Sequence, residues 1–232
     1  MALVRYTVAN PYADGGSMAE RGFVFGDRYV RIGQRPEEDI DLNHNTGMKL
    51  WEGSIILAEH IFHRITVAGK SVVELGSGTG LVGIVAAIAG AASVVLTDLE
   101  GQVDLVNENV ERNVELVEDK DRIRVVEVDW TEQSDAVRNK IGMVDLVLAS
   151  ECLYLPHLHA PLLSTMRAVA HAGTRAFLSY KQRGFGEEGF FAMAREAGWV
   201  VKMIPQKAIR PAELQGLGYQ IWEMSMTVVR AG

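Results

Sequence analysis

Apolar and polar positions alternate along this chain in blocks that read as strand, then helix, several times over. Val72 to Leu75 is a short unbroken apolar run around one acid, as a strand buried on both faces would be. Leu81 to Ala89 reads as a buried helix, and Gly90 is placed to end it. Strand-like runs recur at Ser93 to Thr97, Arg122 to Val128, Val144 to Ala149 and Thr174 to Tyr180. Between them, Val103, Val106, Val110, Val114 and Val117 keep a 3.6-residue period, which predicts a helix over 103–117. Its other face carries Glu108, Glu111, Arg112 and Glu115, most simply a solvated face. Leu158 to His171 and Glu187 to Ala197 predict two more helices. A further helix, counted but not located, belongs between the strands at 122–128 and 144–149. Trp199 to Ile204 and Tyr219 to Val229 close the chain as two strands without a helix between them. Alternation of this kind implies a mostly parallel sheet, and one of the last two strands is free to return antiparallel.

Upstream the pattern is different. Met1 to Met18 is polar, with Gly15-Gly16-Ser17, and reads as an arm. Phe23-Val24-Phe25 and Tyr29 to Ile32, joined through Gly26-Asp27, predict a β-hairpin. Gln34 to Asn45 is a polar loop, and Ile55 to Ile65 an apolar helix entered through Trp51. The expected division is therefore 1–66 as arm, hairpin and leading helix, and 67–232 as one α/β domain.

Composition narrows the function. At 232 residues and 48% hydrophobic, the chain suffices for one domain with a sizeable core. Its formal net charge of -7 argues against non-specific nucleic-acid binding, which needs a basic face. The one cysteine, Cys152, rules out an intrachain disulfide and suits a reducing compartment. The N-terminus carries no apolar core of signal-peptide length, and Leu81 to Ala92 is too short to span a membrane. We expect an intracellular enzyme, cytoplasmic first and nuclear second, with no membrane partner.

Candidate chemistry centres on Glu74-Leu75-Gly76-Ser77-Gly78-Thr79-Gly80. Glycines there form a tight turn that lets backbone approach a ligand, and the following helix aims its N–H groups at the same spot. Gly78 to Gly83 matches the dinucleotide fingerprint G-x-G-x-x-G, and Asp98 ends the next strand about 20 residues on, where a ribose-binding acid belongs. A nicotinamide site is thus open. No Gly-Lys-Ser/Thr follows, so a P-loop is not. Glu74 favours a cationic ligand over a pyrophosphate. The pattern Glu-x-Gly-x-Gly-x-Gly resembles motif I of class I S-adenosylmethionine methyltransferases. That resemblance implies a Rossmann-like sheet of seven strands, mostly parallel, with helices on both faces and an antiparallel C-terminal strand, with S-adenosylmethionine as cofactor.

Other strand ends extend the resemblance. Leu50-Trp51-Glu52-Gly53-Ser54, Thr97-Asp98-Leu99-Glu100, Asp129-Trp130 and Ser150-Glu151-Cys152-Leu153-Tyr154 together resemble the seven-strand protein-lysine methyltransferases called family 16. Tyr180-Lys181-Gln182-Arg183 resembles the Tyr-x-Gln-Arg after strand five in one subgroup. By this resemblance the cofactor contacts Trp51, Glu74, Gly76, Ser77, Gly78, Asp98, Leu99, Asp129, Trp130 and Ser150. Asp98 would take a ribose diol, Asp129 an adenine amino group, Trp130 the ring face and Glu74 the positive charge. Glu151 and Tyr154 fall on the family's Asp/Glu-x-x-Tyr/Phe, with glutamate where most relatives carry aspartate. They are the expected catalytic pair, and Tyr154 and Tyr180 are the expected substrate contacts. The implied substrate is a protein lysine, while another nucleophile (a protein histidine, an RNA base or a metabolite) stays open. His60 with His63, and His157 with His159, lack a third ligand, so no metal is expected. Cys152 with His157 lacks a third catalytic member.

Overall fold

In the computed structural model, residues 18–35 and 46–226 are described. Residues 1–17 of the expected arm, 36–45 of the expected loop and 227–229 of the last strand, with the residues after it, lie outside them. A hairpin, β1 (Glu20–Phe25) and β2 (Arg28–Gly33), precedes α1 (Glu52–Arg64). Next come β3 (Ser71–Leu75), α2 (Leu81–Ile88), β4 (Ser93–Asp98), α3 (Glu100–Arg112) and β5 (Ile123–Glu127). After these follow α4 (Ser134–Ile141), β6 (Val144–Ser150), α5 (His159–Val169), β7 (Ala170–Lys181), α6 (Glu187–Glu196), β8 (Trp199–Met203) and β9 (Tyr219–Met226).

The main sheet has seven strands in the order β5-β4-β3-β6-β7-β9-β8. The pairs from β5 through β7 are parallel, and β9 inserts antiparallel between β7 and β8. Chain order therefore reverses at β3, where the next strand lies on the other side, and this is where such sheets bind ligands.

Strand period explains the two cores. Val72, Val94, Leu96, Leu146, Leu148 and Phe177 face α1 and α2, while Val73, Val95, Val147, Ala149, Ala176 and Leu178 face α4, α5 and α6. Covered on both faces, these strands can be apolar throughout, which is why they read as unbroken runs.

The helix expected over 103–117 is displaced. α3 starts at Glu100 and stops at Arg112, and Val114–Leu116 forms a separate 3-10 turn. Its buried stripe is Gln102, Leu105, Val106 and Asn109, continuing to Asn113. The two asparagines hold the hairpin. Asn113 exchanges hydrogen bonds with the backbone of Arg31, and Asn109 with that of Gly33. Asn109 Nδ2 also donates to the Thr79 carbonyl, so the hairpin is tied to the glycine turn. The unlocated helix is α4, whose only buried residues are Val137 and Ile141.

Candidate active site

The glycine turn joins β3 to α2 with Gly76 at φ 65° and Gly78 at φ 54°, a left-handed backbone that L side chains resist. Space forbids side chains as well. A Cβ on Gly76 would lie 2.9 Å from Cys152 Sγ and 3.0 Å from the Trp130 ring; one on Gly78 would meet the Gly47 carbonyl at 3.2 Å. Side chains fasten the turn to β4. Thr97 Oγ1 donates to the Glu74 carbonyl, and Ser77 Oγ accepts from Thr97 N. Gly83 has another reason: its Cβ would collide with Leu96 at 2.1 Å, so it lets α2 settle onto the sheet.

Glu74 does not reach the cavity that opens above this turn. Its parity on β3 points it toward α2, where Oε2 accepts from Gly83 N at 2.8 Å and Oε1 has no partner. Complete burial pushes its carboxyl up to about 8, so it holds its proton at neutral pH. The expectation that it faces a ligand's positive charge is thus corrected: it lies under the turn.

The cavity measures about 440 Å³. Of the residues expected there, Trp51, Gly76, Ser77, Gly78, Asp98, Leu99, Asp129, Trp130, Ser150, Glu151 and Tyr154 line it. Asp98 is fixed by two backbone donors, Gly78 N at 2.7 Å and Leu99 N at 2.8 Å. Burial raises its carboxyl and these donors oppose the shift. Asp129 is exposed, and its Oδ1 accepts from the N and Oγ1 of Thr131, closing a turn that carries Trp130. Ser150 Oγ and Ser54 Oγ stand 2.8 Å apart and join β6 to α1.

Past β6 the backbone is strained. Glu151 has φ 55°, the one described non-glycine residue in the left-handed region, and such strain clusters at functional sites. Its N–H donates to Ser179 O at 2.7 Å. Its Oε2 accepts from Arg183 Nη1 at 2.6 Å, while the buried Oε1 has no partner. Burial raises this carboxyl, and the guanidinium beside it works in the opposite direction. A Cβ on Gly53 would lie 2.5 Å from Oε1, so that glycine makes room for the acid.

Tyr154 Oη lies 2.9 Å from Thr46 Oγ1, and Trp51 Nε1 donates to the Thr46 carbonyl at 2.8 Å. The turn Thr46–Met48 is thereby held over the glycines from both sides. Nothing in the sequence pattern marked Thr46 or Gly47 as part of the site. Phe185, on the cavity wall and 48% exposed, went unmarked too.

Tyr180 is a second correction. It lines no part of the cavity. Its side chain is buried on the α6 side of β7 against Phe191, and its hydroxyl donates to Gln220 Oε1 at 3.0 Å. Cys152 is buried, its Sγ directed at the carbonyls of Leu75 and Ser150, and burial pushes the thiol well above its usual range. That is a packed thiol rather than a nucleophile. His60 packs on Phe177, and His63 faces Glu59. Among the described residues no group of three or more His, Cys, Asp or Glu side chains could hold a metal.

Comparison with known proteins decides the family. Residues 36–197 match the family 16 methyltransferases, described as lysine methyltransferase. The chain belongs to that family. Its relatives include the protein N-lysine methyltransferase METTL21A of Danio rerio, 33% identical over 63% of this chain and 66% of the relative. Another is the EEF1A lysine methyltransferase 3 of Mus musculus, 31% identical over 66% of each chain. The chain thus spans just under two thirds of the length of these relatives. Among solved structures, one described as a methyltransferase complexed with SAH aligns at TM-score 0.62 and 12% identity, covering 90% of this chain and 56% of that one. At that identity the likeness speaks for the fold alone.

Proposed function

We propose that this chain is an S-adenosylmethionine-dependent methyltransferase whose acceptor is a lysine side chain of a protein. One observation carries the reading: a strained, buried carboxylate with an unpartnered oxygen, Glu151, shares a single cavity with a glycine turn and the carboxylate Asp98. Family membership and the lysine methyltransferase names of its relatives support the same reading. The residues fit the cofactor. Gly76 leaves a cradle that a Cβ would fill, Asp98 keeps acceptor capacity at a strand end, and Trp130 offers a ring face beside the turn.

When bound, S-adenosylmethionine supplies an electrophilic methyl group. The chain's own part is orientation and exclusion of water. A free lysine amine has a pKa near 10.4 and must lose its proton before it can attack. Burial favours that loss, whereas an adjacent carboxylate opposes it. Glu151 therefore serves best by accepting a hydrogen bond that aims the amine, with the proton passing on to water. Tyr154 and Trp51, both fastened to Thr46, wall the approach.

The protein works in a reducing compartment, the cytoplasm before the nucleus, as its buried lone thiol suits; fractionation of cells expressing it tests this. The activity is tested by incubating it with tritiated S-adenosylmethionine and a cell lysate, then hydrolysing the labelled protein in acid. Methyllysine is expected. Label found only in methylhistidine or methylarginine, or label removed by nuclease and not by protease, contradicts the reading.

A further inference from the structure

Arg183 has no part in the chemistry described so far. It stands in Lys181-Gln182-Arg183-Gly184-Phe185-Gly186, which leads from β7 into α6. Its Nη1 donates to Glu151 Oε2 at 2.6 Å and to the Lys181 carbonyl at 3.2 Å. Its guanidinium carbon lies 5.8 Å from the centre of the Trp51 ring. One side chain thus joins the residue after β6, the last residue of β7 and the entry to α1, and Arg183, Glu151 and Trp51 all line the same cavity.

The contact with Glu151 is lopsided. An arginine serving only to neutralise a buried acid commonly grips both oxygens in parallel. Here it takes Oε2, which also lies 3.4 Å from Lys181 N, and Oε1 is buried with no partner. A buried oxygen left without a donor is costly, and such an atom in a native site calls for a missing partner. The charged and titratable groups facing Glu151 are Arg183, Lys181, Glu52 at the start of α1 and Cys152. Lys181 meets it through backbone N–H, its ammonium lying 5.3 Å over the Tyr219 ring. Arg183 is the cation that bonds the carboxylate through its side chain.

We propose that Arg183 is a positioning residue for methyl transfer: it fixes one oxygen of Glu151 and so leaves the other to the amino group of the substrate lysine. This rests on the reading of Glu151 as the group that aims the amine. Arg183 acts on the substrate through Glu151, and the Trp51 ring limits where its planar guanidinium can lie.

A double-mutant cycle tests it, with Glu151→Gln, Arg183→Met, their combination, and Arg183→Lys as the conservative variant. Turnover is read as tritiated methyl transfer into lysate protein at saturating S-adenosylmethionine from pH 6 to 9, cofactor affinity by calorimetry, and folding by thermal melts. Arg183→Met should slow turnover by roughly ten- to a hundredfold, the span of a hydrogen bond to a charged group. Cofactor affinity should stay within about threefold. Arg183→Lys should recover part of the rate. Without the guanidinium, Glu151 holds its proton to higher pH, so the ratio of variant to wild type should rise with pH; lost structure alone would leave it flat. The combined variant should be no slower than Glu151→Gln. If Glu151→Gln is impaired but the two losses multiply, or if the ratio is flat with pH, Arg183 does not act through Glu151 and the proposal is overturned. If Glu151→Gln turns over as wild type does, the reading of Glu151 fails first and this role falls with it. Should Arg183→Met melt below the assay temperature, Arg183→Gln, which is also neutral, carries the same cycle and the same pH ratio.

Discussion

Two buried glutamates end neighbouring strands of one sheet, and they live under opposite electrostatics. Glu74 on β3 has a backbone N–H for company and no cation, and burial lifts its carboxyl to about 8. Glu151 just past β6 is also raised by burial, but Arg183 lies 2.6 Å away and counters the shift. The first is a neutral acid that pins the start of α2 beneath the glycine turn. The second has a guanidinium on one oxygen and stands at the cavity wall. Burial alone does not tell a structural acid from a working one; the partner does.

The largest expected effect follows from that contrast. Glu151→Ala should cut turnover by roughly a hundredfold or more, the range for losing a positioned polar group in a transition state. Cofactor affinity should stay within about tenfold. Calorimetry beside the tritium assay checks both, and a variant that loses the cofactor instead would move Glu151 into the cofactor's shell. Next comes Asp98→Ala, expected to weaken S-adenosylmethionine binding by about 1.5–3 kcal/mol. An unchanged affinity in a folded variant would remove the ribose assignment, and NAD binding in the same instrument would reopen the nicotinamide reading. Tyr154→Phe, which removes the contact with Thr46, should lower stability by about 0.5–1.5 kcal/mol, read from denaturant midpoints.

Glu74→Gln should have the smallest effect at low pH, because the amide resembles the neutral acid. Its effect depends on pH with a fixed sign. The folded-state pKa of Glu74 lies above the ordinary glutamate value of 4.5, so its contribution is fully present below about 4.5 and is lost as pH rises through about 8. The wild type should therefore lose stability relative to Glu74→Gln across that interval and level off above it. Urea midpoints that move apart in the other direction would refute the neutral assignment.

Much of this was legible in the sequence, for a reason tied to the sheet. Strands buried on both faces leave apolar runs, so β3, β4 and β6 lie within a residue or so of expectation. Period two also contains the two side-chain corrections. Val73 and Leu75 lie on the face covered by α4, α5 and α6, which sends Glu74 to the α2 side; Ser179 donates to Gly53 O on the α1 side, which sends Tyr180 toward α6. A strand end alone does not say which face its residue takes. α4 left little trace because two buried residues make no period. The end of α3 was masked because Val114 and Val117 keep the spacing after the helix has stopped at Arg112. Thr46 was silent, and Arg183 was marked by its motif without its partner, for another reason. Their roles come from contacts across 108 and 32 residues, and no local pattern records those.

The most direct test is to titrate the two carboxyls themselves. Side-chain ¹³C-carboxyl NMR of glutamate-labelled protein, assigned with Glu74→Gln and Glu151→Gln, would follow each through neutral pH. Glu74 should be protonated at pH 7 and titrate near 8, and the titration of Glu151 should move upward in Arg183→Met. A Glu74 already charged at pH 7, or a Glu151 signal indifferent to Arg183, would contradict the contrast drawn between the two acids.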